Sequence, residues 1–272
     1  MKIISILALL VAATTFSIPA HAERVDLQLV LAIDISGSID AEEARLQRDG
    51  YTQALTHPAV LAAIHSGPLK RIAVTYLEWA GDPYQSVVAD WAIIDDAASA
   101  KRFADEVASQ PIDRAQWTSI SAAIRFASQM FKHSPHRSRR RAIDISGDGA
   151  NNHGAHITAV RERAIAAGIV INGLPIINGR QSRHGLPPLP YLSAYYRECV
   201  IGGPGSFLIV ANGFKDFARA IRRKLILEIA GHFPPSRPTR APGPRLILAD
   251  YHKPRGDCSD GEWWLEQHFE DY

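Results

Sequence analysis

The sequence carries little net charge and, beyond its N-terminus, no hydrophobic run that approaches the length of a membrane span. Its 30 lysine and arginine residues are nearly balanced by 28 acidic ones, so the formal net charge is only +2. That excess is too small to indicate nucleic acid or an anionic membrane as the main partner. A composition with 46% hydrophobic and 21% charged residues excludes a disordered or collagen-like chain. We therefore expect a globular protein without a stable membrane span.

The apolar run at the N-terminus is typical of a secretory signal peptide. Lys2 precedes the apolar residues 3–13, and an Ala-His-Ala pattern ends at Ala22. The run is shorter than the roughly 20 residues that a membrane-spanning helix needs, which favours cleavage over a membrane anchor. We expect residues 1–22 to be removed and the mature protein to be periplasmic or secreted.

Short runs of Val, Ile and Leu alternate with longer segments of helical periodicity, a pattern typical of α/β proteins. Residues 27–33 are apolar at nearly every position, as in a strand buried on both faces. A Gly-Asp-Pro turn separates the runs 71–79 and 85–94, which predicts a hairpin. Later strands are predicted over 141–146, 169–177 and 206–210. We expect a mostly parallel central sheet with helices on both faces.

The composition changes sharply after Gly231, where five prolines fall within residues 234–244. Proline at this density prevents regular helix or sheet. We therefore predict one α/β domain over residues 23–231, a proline-rich linker over 232–244 and a C-terminal tail over 245–272. The tail is too short to fold alone and requires a covalent link or a host surface.

The chain has two cysteines, Cys199 and Cys258. An even number in an exported protein permits one disulfide, and only one pairing is available. That bond would dock the tail on the main domain. The alternative is that Cys199 is a small buried apolar residue and Cys258 a free thiol.

The strongest chemical feature is a group of oxygen donors where the first buried strand is predicted to end. Asp34, Ser36 and Ser38 occupy alternate positions, with Gly37 allowing a tight turn. Ligands bind beyond the carboxyl ends of strands in open parallel sheets. Oxygen donors of this kind suit Mg²⁺, and to a lesser degree Mn²⁺ or Ca²⁺, but not zinc. The alternative is a helix N-cap turn that only satisfies backbone N–H groups.

Two further loops supply matching oxygen donors. Thr118 begins the helix predicted over residues 118–131, and Asp148 follows the strand predicted over 141–146 within a Ser-Gly-Asp-Gly turn. Both positions are expected at the same edge of the sheet as Asp34. Three loops that agree favour a cation site over a simple cap.

These spacings closely resemble the von Willebrand factor type A domain and its metal-ion-dependent adhesion site, in which Asp-x-Ser-x-Ser is followed by Thr and then by Asp. The resemblance extends over residues 26–230 and implies a Rossmann-like fold. It implies that Asp34, Ser36, Ser38, Thr118 and Asp148 hold a divalent cation. Within that superfamily, residues 143–152 and 195–205 resemble a bacterial group of exported type A domains with no assigned function. One departure is Gln116-Trp117 before Thr118, where the family commonly has small residues.

Several other polar residues are candidate ligands. Asn151 and Asn152 are candidates for contacting a partner or the waters of the metal, with a helix-start turn as the equal alternative. His153 and His156 have a spacing that could bind a metal, but a solvated helix start explains them better. Two further groups could bind a partner or simply be structural: Arg137 with Arg139–Arg141, and Trp263-Trp264.

The predicted function is protein binding. Three neutral hydroxyls and two carboxylates, some of them acting through water, leave a divalent cation incompletely neutralised, so it attracts an exposed Asp or Glu of a partner. No histidine or third carboxylate is arranged as a general base, and no Gly-x-Ser-x-Gly elbow is present, so we do not expect an enzyme. The alternatives are a metal-dependent hydrolase that uses the same site and a metal-free structural domain whose tail makes the contacts.

Overall fold

A computed structural model describes residues 22–179, 188–231 and 256–269. The strands are β1 (Glu23–Arg24), β2 (Gln28–Asp34), β3 (Ile72–Trp79), β4 (Gln85–Ile94), β5 (His136–Arg137), β6 (Arg141–Gly147) and β7 (Val170–Pro175). The helices are α1 (Ala41–Leu55), α2 (Pro58–His65), α3 (Ala97–Ser109), α4 (Ile120–His133), α5 (Ile157–Ala166), α6 (Leu192–Tyr195), α7 (Phe214–Ala230) and α8 (Asp260–Phe269). A π-helical turn, Tyr196–Val200, directly follows α6.

The main sheet has five strands in the order β4-β3-β2-β6-β7, and β1 pairs with β5 in a small separate ladder. β3, β2, β6 and β7 are parallel, whereas β4 returns antiparallel to β3 as the predicted hairpin. The fold is therefore α/β with a mostly parallel sheet, as predicted. β2 lies at its centre, which accounts for its uninterrupted apolar sequence.

Alternate residues of β2 enter two different hydrophobic cores. Leu29 and Leu31 pack with residues of α1, α2, α3 and α7, whereas Val30 and Ala32 pack with residues of α4 and α5. Every position of β2 is buried. The sheet thus lies between two helical layers, and no polar face of β2 reaches solvent.

The strand predicted over residues 206–210 is not formed as a regular strand. This segment follows β7 in parallel through isolated bridges, Gly173 with Leu208 and Ile176 with Ala211. The side-chain oxygen of Asn172 accepts the backbone N–H of Phe207 at 3.1 Å, so that donor is not used in a regular ladder. The result is an irregular cover along the edge of β7.

The C-terminal tail is docked on the main domain. Cys199 and Cys258 form a disulfide with a Cα–Cα distance of 5.7 Å. Trp264, in α8, packs against the core that contains α4 and α5. Residues 1–21 of the expected signal peptide and the predicted linker 232–244 lie outside the described residues.

No helix in the described part of the chain is both long enough and apolar enough to cross a membrane.

Two arginines of the basic group formed by Arg137 and Arg139–Arg141 make structural contacts. The guanidinium of Arg140 donates to the carbonyls of Glu228 and Ile229 at the end of α7, and that of Arg141 donates to Ala167 at the end of α5. These arginines satisfy carbonyls that have no partner within their own helices.

A buried ion cluster joins α7 to the sheet. The Lys224 ammonium lies 2.5 Å from the Asp144 carboxylate and 3.4 Å from that of Glu228. Burial raises the pKa of Asp144 to about 7, although Lys224 acts in the opposite direction. Asn172 donates to the second oxygen of Glu228. Asp144, an acid inside a strand, is thus paired with a buried lysine.

We expect Lys224→Met to lower the free energy of unfolding by about 3–5 kcal/mol, because it leaves two buried carboxylates without a cation. Urea denaturation at neutral pH measures the loss. Arg219→Ala is the matched control, since Arg219 lies on the same helix, pairs with Asp216 and is 64% exposed; its loss should be under about 1 kcal/mol. Equal losses in the two variants would contradict this account of the cluster.

Candidate metal site

The loop after β2 is held rigidly at the carboxyl edge of the sheet. The Oδ1 atom of Asp34 accepts the backbone N–H of Ser36 at 2.7 Å. Gln47, from α1, donates to the backbone oxygen of Asp34 at 3.1 Å. The N–H of Ile35 donates to the carbonyl of Trp79 at the end of β3. These bonds fix the direction of the turn before α1 begins.

The helix that follows starts with a capping box. The Asp40 carboxylate accepts the N–H groups of Glu42 and Glu43, while the Glu43 carboxylate accepts the N–H of Asp40 at 3.0 Å. This arrangement satisfies donors that the first helical turn leaves without partners. Asp40, rather than Asp34, therefore caps α1, so the alternative that Asp34–Ser38 serves only as an N-cap does not hold.

The structure brings the predicted ligands of all three loops together. The Thr118 hydroxyl donates to the Ser36 Oγ at 3.3 Å, and the Ser36 and Ser38 hydroxyls are also 3.3 Å apart. The Ser38 hydroxyl donates to the Asp148 Oδ1 at 2.6 Å. Together with Asp34, two residues before Ser36, these side chains form one continuous cluster of oxygens.

One oxygen in this cluster has no hydrogen-bond partner. The Oδ2 atom of Asp34 is buried and unpaired within the described part of the chain. A methyl group at Gly147 would lie 2.7 Å from this oxygen and 2.9 Å from the Tyr196 hydroxyl. Glycine at the end of β6 therefore leaves the space next to the carboxylate free. A buried, unpaired carboxylate oxygen among hydroxyls fits the donor set of a hard divalent cation.

Both carboxylates of the cluster have raised pKa values. Burial, followed by repulsion from Asp148, raises the pKa of Asp34 to about 8. Burial raises the pKa of Asp148 to about 6; the Ser38 hydrogen bond opposes this shift and Glu43 adds to it. Among residues 22–179, 188–231 and 256–269, no basic side chain forms an ion pair with either carboxylate.

Asn151 and Asn152 brace the loop that carries Thr118. The Asn152 Oδ1 accepts the Thr118 N–H at 2.8 Å, and the Asn152 N–H donates to the Thr118 carbonyl at 2.8 Å. The Asn151 Oδ1 accepts the Ser121 N–H at 2.9 Å. Asn151 is completely buried and its amide is used inside the protein, so its side chain is not exposed to a partner.

Two residues that the sequence did not identify lie beside the predicted ligands. Asn178 donates to the Oδ2 of Asp148 at 3.1 Å. The Tyr196 hydroxyl is buried beside Gly147 and Asp34, and burial with repulsion from Asp34 and Asp148 raises its pKa. Neither residue has a diagnostic spacing from the three loops, because each reaches the cluster only through the fold.

The two histidines do not converge on one point. The Nδ1 of His153 accepts the Asp82 N–H at 3.0 Å, whereas the Nδ1 of His156 lies 2.9 Å from the Thr158 hydroxyl. His153 stacks on Trp117 with centroids 5.7 Å apart. Trp117 is 48% exposed and has a φ of +68°, which is uncommon for an aromatic residue. The residue that replaces a small one before Thr118 thus forms an aromatic rim beside the oxygen cluster.

In the described residues, no group of three or more His, Cys, Asp or Glu side chains could hold a metal ion. The oxygen cluster does not qualify as such a group because it contains two carboxylates and three hydroxyls. A metal held here would therefore depend on serine and threonine oxygens as much as on acids.

The mostly parallel sheet, with helices on both faces and three loops that converge at its carboxyl edge, has the fold expected of a von Willebrand factor type A domain. The chain belongs to the family described as protein of unknown function (DUF1194), which matches residues 24–233. No curated protein matches it.

Several solved structures share this fold. Proximal thread matrix protein 1 from the mussel byssus is 12% identical with a TM-score of 0.56, over 77% of this chain and 49% of that protein. An aerotolerance-related membrane protein from Bacteroides fragilis is 21% identical with a TM-score of 0.52, over 76% of this chain and 100% of that one. The pilus adhesin SpaC from Lactobacillus rhamnosus GG is 13% identical with a TM-score of 0.53, over 75% and 30%. The chain therefore spans about half the length of the mussel protein.

The raised pKa values predict how stability depends on pH without added metal. A carboxyl whose pKa is higher in the folded state stabilises that state fully below its unfolded value of 3.8, and this contribution is lost as pH rises through the folded pKa. We expect the free energy of unfolding in EDTA to fall between about pH 4 and pH 8, as Asp148 and then Asp34 ionise. Urea unfolding at four pH values measures the slope.

Asp34→Asn is the matched variant for this measurement, since it keeps the shape of the side chain and cannot ionise. Its slope should be clearly shallower than that of the wild type. Asp144 titrates equally in both proteins, so its contribution cancels in the comparison. Parallel curves for the two proteins would show that Asp34 is not buried as described.

Proposed function

We propose that this chain is an exported interaction module that holds a divalent cation through Asp34, Ser36, Ser38, Thr118 and Asp148. The cation is Mg²⁺, with Mn²⁺ or Ca²⁺ as alternatives, and the partner is a protein with an exposed Asp or Glu. The observation that carries this proposal is the buried, unpaired Oδ2 of Asp34 beside the hydroxyl cluster.

The residues of the cluster have distinct roles in this proposal. Asp34 and Asp148 supply negative charge, and Ser36, Ser38 and Thr118 supply neutral oxygens. When bound, the cation supplies positive charge and a coordination position for an anionic oxygen. Asn152 holds Thr118 in place, and Asn178 orients Asp148. The two carboxylates balance the formal charge of a divalent cation but do not fill its coordination sphere, so the proposed acidic group of the partner binds as a further oxygen ligand.

The surroundings of the cluster support binding rather than catalysis. Hydrolysis at a metal site needs a base that takes a proton from water. Glu43, whose charge adds to the raised pKa of Asp148, is engaged in the capping box with Asp40. His153 accepts a backbone N–H and stacks on Trp117. Because both side chains are engaged in structural contacts, neither is placed as a general base, and we therefore rank a hydrolase below a binding module.

The structural neighbours support the proposal only at the level of their fold. One form of the mussel protein has a zinc-occupied MIDAS motif, with 11% identity and a TM-score of 0.56 to this chain. Other neighbours are a pilus adhesin and a membrane protein. Together they are consistent with a cation-dependent module that acts outside the cytoplasm.

We expect Mg²⁺ to raise the melting temperature of the protein, because a ligand that binds only the folded state stabilises it by mass action. At about 100 times the dissociation constant, the gain is about 2.7 kcal/mol, or roughly 5–10 °C for a domain of this size. Differential scanning calorimetry with MgCl₂ or EDTA measures the shift. Asp34→Ala and Thr118→Ala should each abolish most of it.

Glu106→Ala is the control for these variants, because Glu106 is an exposed acid on α3. This variant should keep the full Mg²⁺ shift. Absence of any shift in the wild type would refute the proposed cation site.

Partner binding requires a separate experiment. The immobilised protein, incubated with an extract of the cell envelope, should retain a protein in Mg²⁺ and lose it in EDTA, and Asp34→Ala should retain none. Mutation of the acidic residues of the captured protein should weaken the complex. Capture that is indifferent to EDTA and to Asp34→Ala would contradict cation-dependent binding.

A hydrolysis assay tests the alternative function. Mg²⁺-dependent hydrolysis of phosphate or peptide substrates that Ser36→Ala abolishes would favour the hydrolase.

A further inference from the structure

The C-terminal helix α8 lies directly against the loop that braces the candidate metal site. The Oε1 atom of Glu262 accepts the side-chain N–H of Asn151 at 3.1 Å. The helix backbone also approaches closely, since a methyl group at Gly261 would collide with the backbone oxygen of Asn151. Both the backbone of α8 and the side chain of Glu262 therefore pack against Asn151.

The side chain of Asn151 connects Glu262 to the start of α4, next to Thr118, through hydrogen bonds. While its Nδ2 donates to Glu262, its Oδ1 accepts the N–H of Ser121 at 2.9 Å. The next residue, Asn152, holds Thr118 through two hydrogen bonds of 2.8 Å. Glu262 is thus linked to the first turn of α4 through a single asparagine, and to Thr118 through the neighbouring one.

The tail is anchored at the same place. The Asn151 N–H donates to the Tyr195 hydroxyl at 3.2 Å, and Tyr195 lies at the end of α6, four residues before Cys199. The disulfide from Cys199 to Cys258 then fixes the chain two residues before α8, and both cysteines are buried. One segment of the main domain therefore positions both Asn151 and α8.

We infer that α8 is a positioning element for the candidate cation site, in which Glu262 sets the orientation of Asn151 and thereby the affinity for Mg²⁺. The inference rests on the proposed function. It assigns a role to a part of the chain that lies beyond the residues matched by the family and outside the three ligand loops. Groups that orient metal ligands through hydrogen bonds commonly change affinity 10–100-fold when they are removed.

Isothermal titration with MgCl₂ on the full chain, with its disulfide formed, tests this inference. Glu262→Ala should bind Mg²⁺ about tenfold more weakly, at the lower end of the usual range because Glu262 acts through Asn151. Glu262→Gln should stay within about twofold of the wild type, because its amide oxygen can still accept from Asn151. Glu266→Ala is the matched control, since it makes the same substitution at an exposed position of α8.

Hydrogen exchange in EDTA provides a readout that needs no metal. The amides of Thr118 and Ser121 should exchange faster in Glu262→Ala than in Glu262→Gln or Glu266→Ala, while amides in the central strand β2 remain unchanged. Cys258→Ser, which releases the anchor and leaves Glu262 in the chain, should change both exchange and affinity in the same direction.

The outcomes separate this inference from the proposed function. Equal Mg²⁺ affinity in the wild type and Glu262→Ala would overturn the inference and leave the proposed function standing. Weak binding in Glu262→Gln as well as in Glu262→Ala would also overturn it, because the acceptor oxygen would then not be what matters. Absence of Mg²⁺ binding by the wild type would overturn the proposed function and this inference with it.

Discussion

Asp34 and Asp148 lie in one buried cluster at the ends of adjacent parallel strands, and the cost of holding two carboxylates there constrains everything around them. Burial and mutual repulsion raise the pKa of Asp34 to about 8. The neighbouring loops donate hydrogen bonds to these carboxylates from the Ser38 hydroxyl, the backbone N–H of Ser36 and the side-chain amide of Asn178. These groups lower the cost but supply no full positive charge, and the proposed cation would supply it.

Much of this arrangement could be predicted because it follows from local sequence. An uninterrupted apolar run predicts a strand buried on both faces, and β2 lies in the centre of the sheet. The Gly-Asp-Pro turn predicts the β3–β4 hairpin. Parallel strands end at one edge of the sheet, which predicts that the loops of Asp34 and Asp148 lie close together. The positions of these loops directly after two predicted parallel strands are enough to predict that they share one edge of the sheet.

The parts that could not be predicted depend on contacts between distant residues. Nothing near Lys224 indicates that its ammonium is buried between Asp144 and Glu228. Asn151 has the polarity of a surface residue, yet it is buried because the tail covers it. The apolar character of residues 206–210 indicates a strand, but periodicity does not reveal that Asn172 takes the N–H of Phe207.

The irregular segment beside β7 also affects how the protein can associate. A regular edge strand presents a row of free backbone donors and acceptors that another chain can extend. Here the backbone groups of Gly173, Pro175 and Ile177 already form hydrogen bonds with residues 207–211. Those residues pair with β7 only through isolated bridges and do not form a regular strand. That side of the sheet is thus closed to strand addition, so β4 is the edge of the main sheet at which a β-augmenting peptide or an aggregating copy would have to pair.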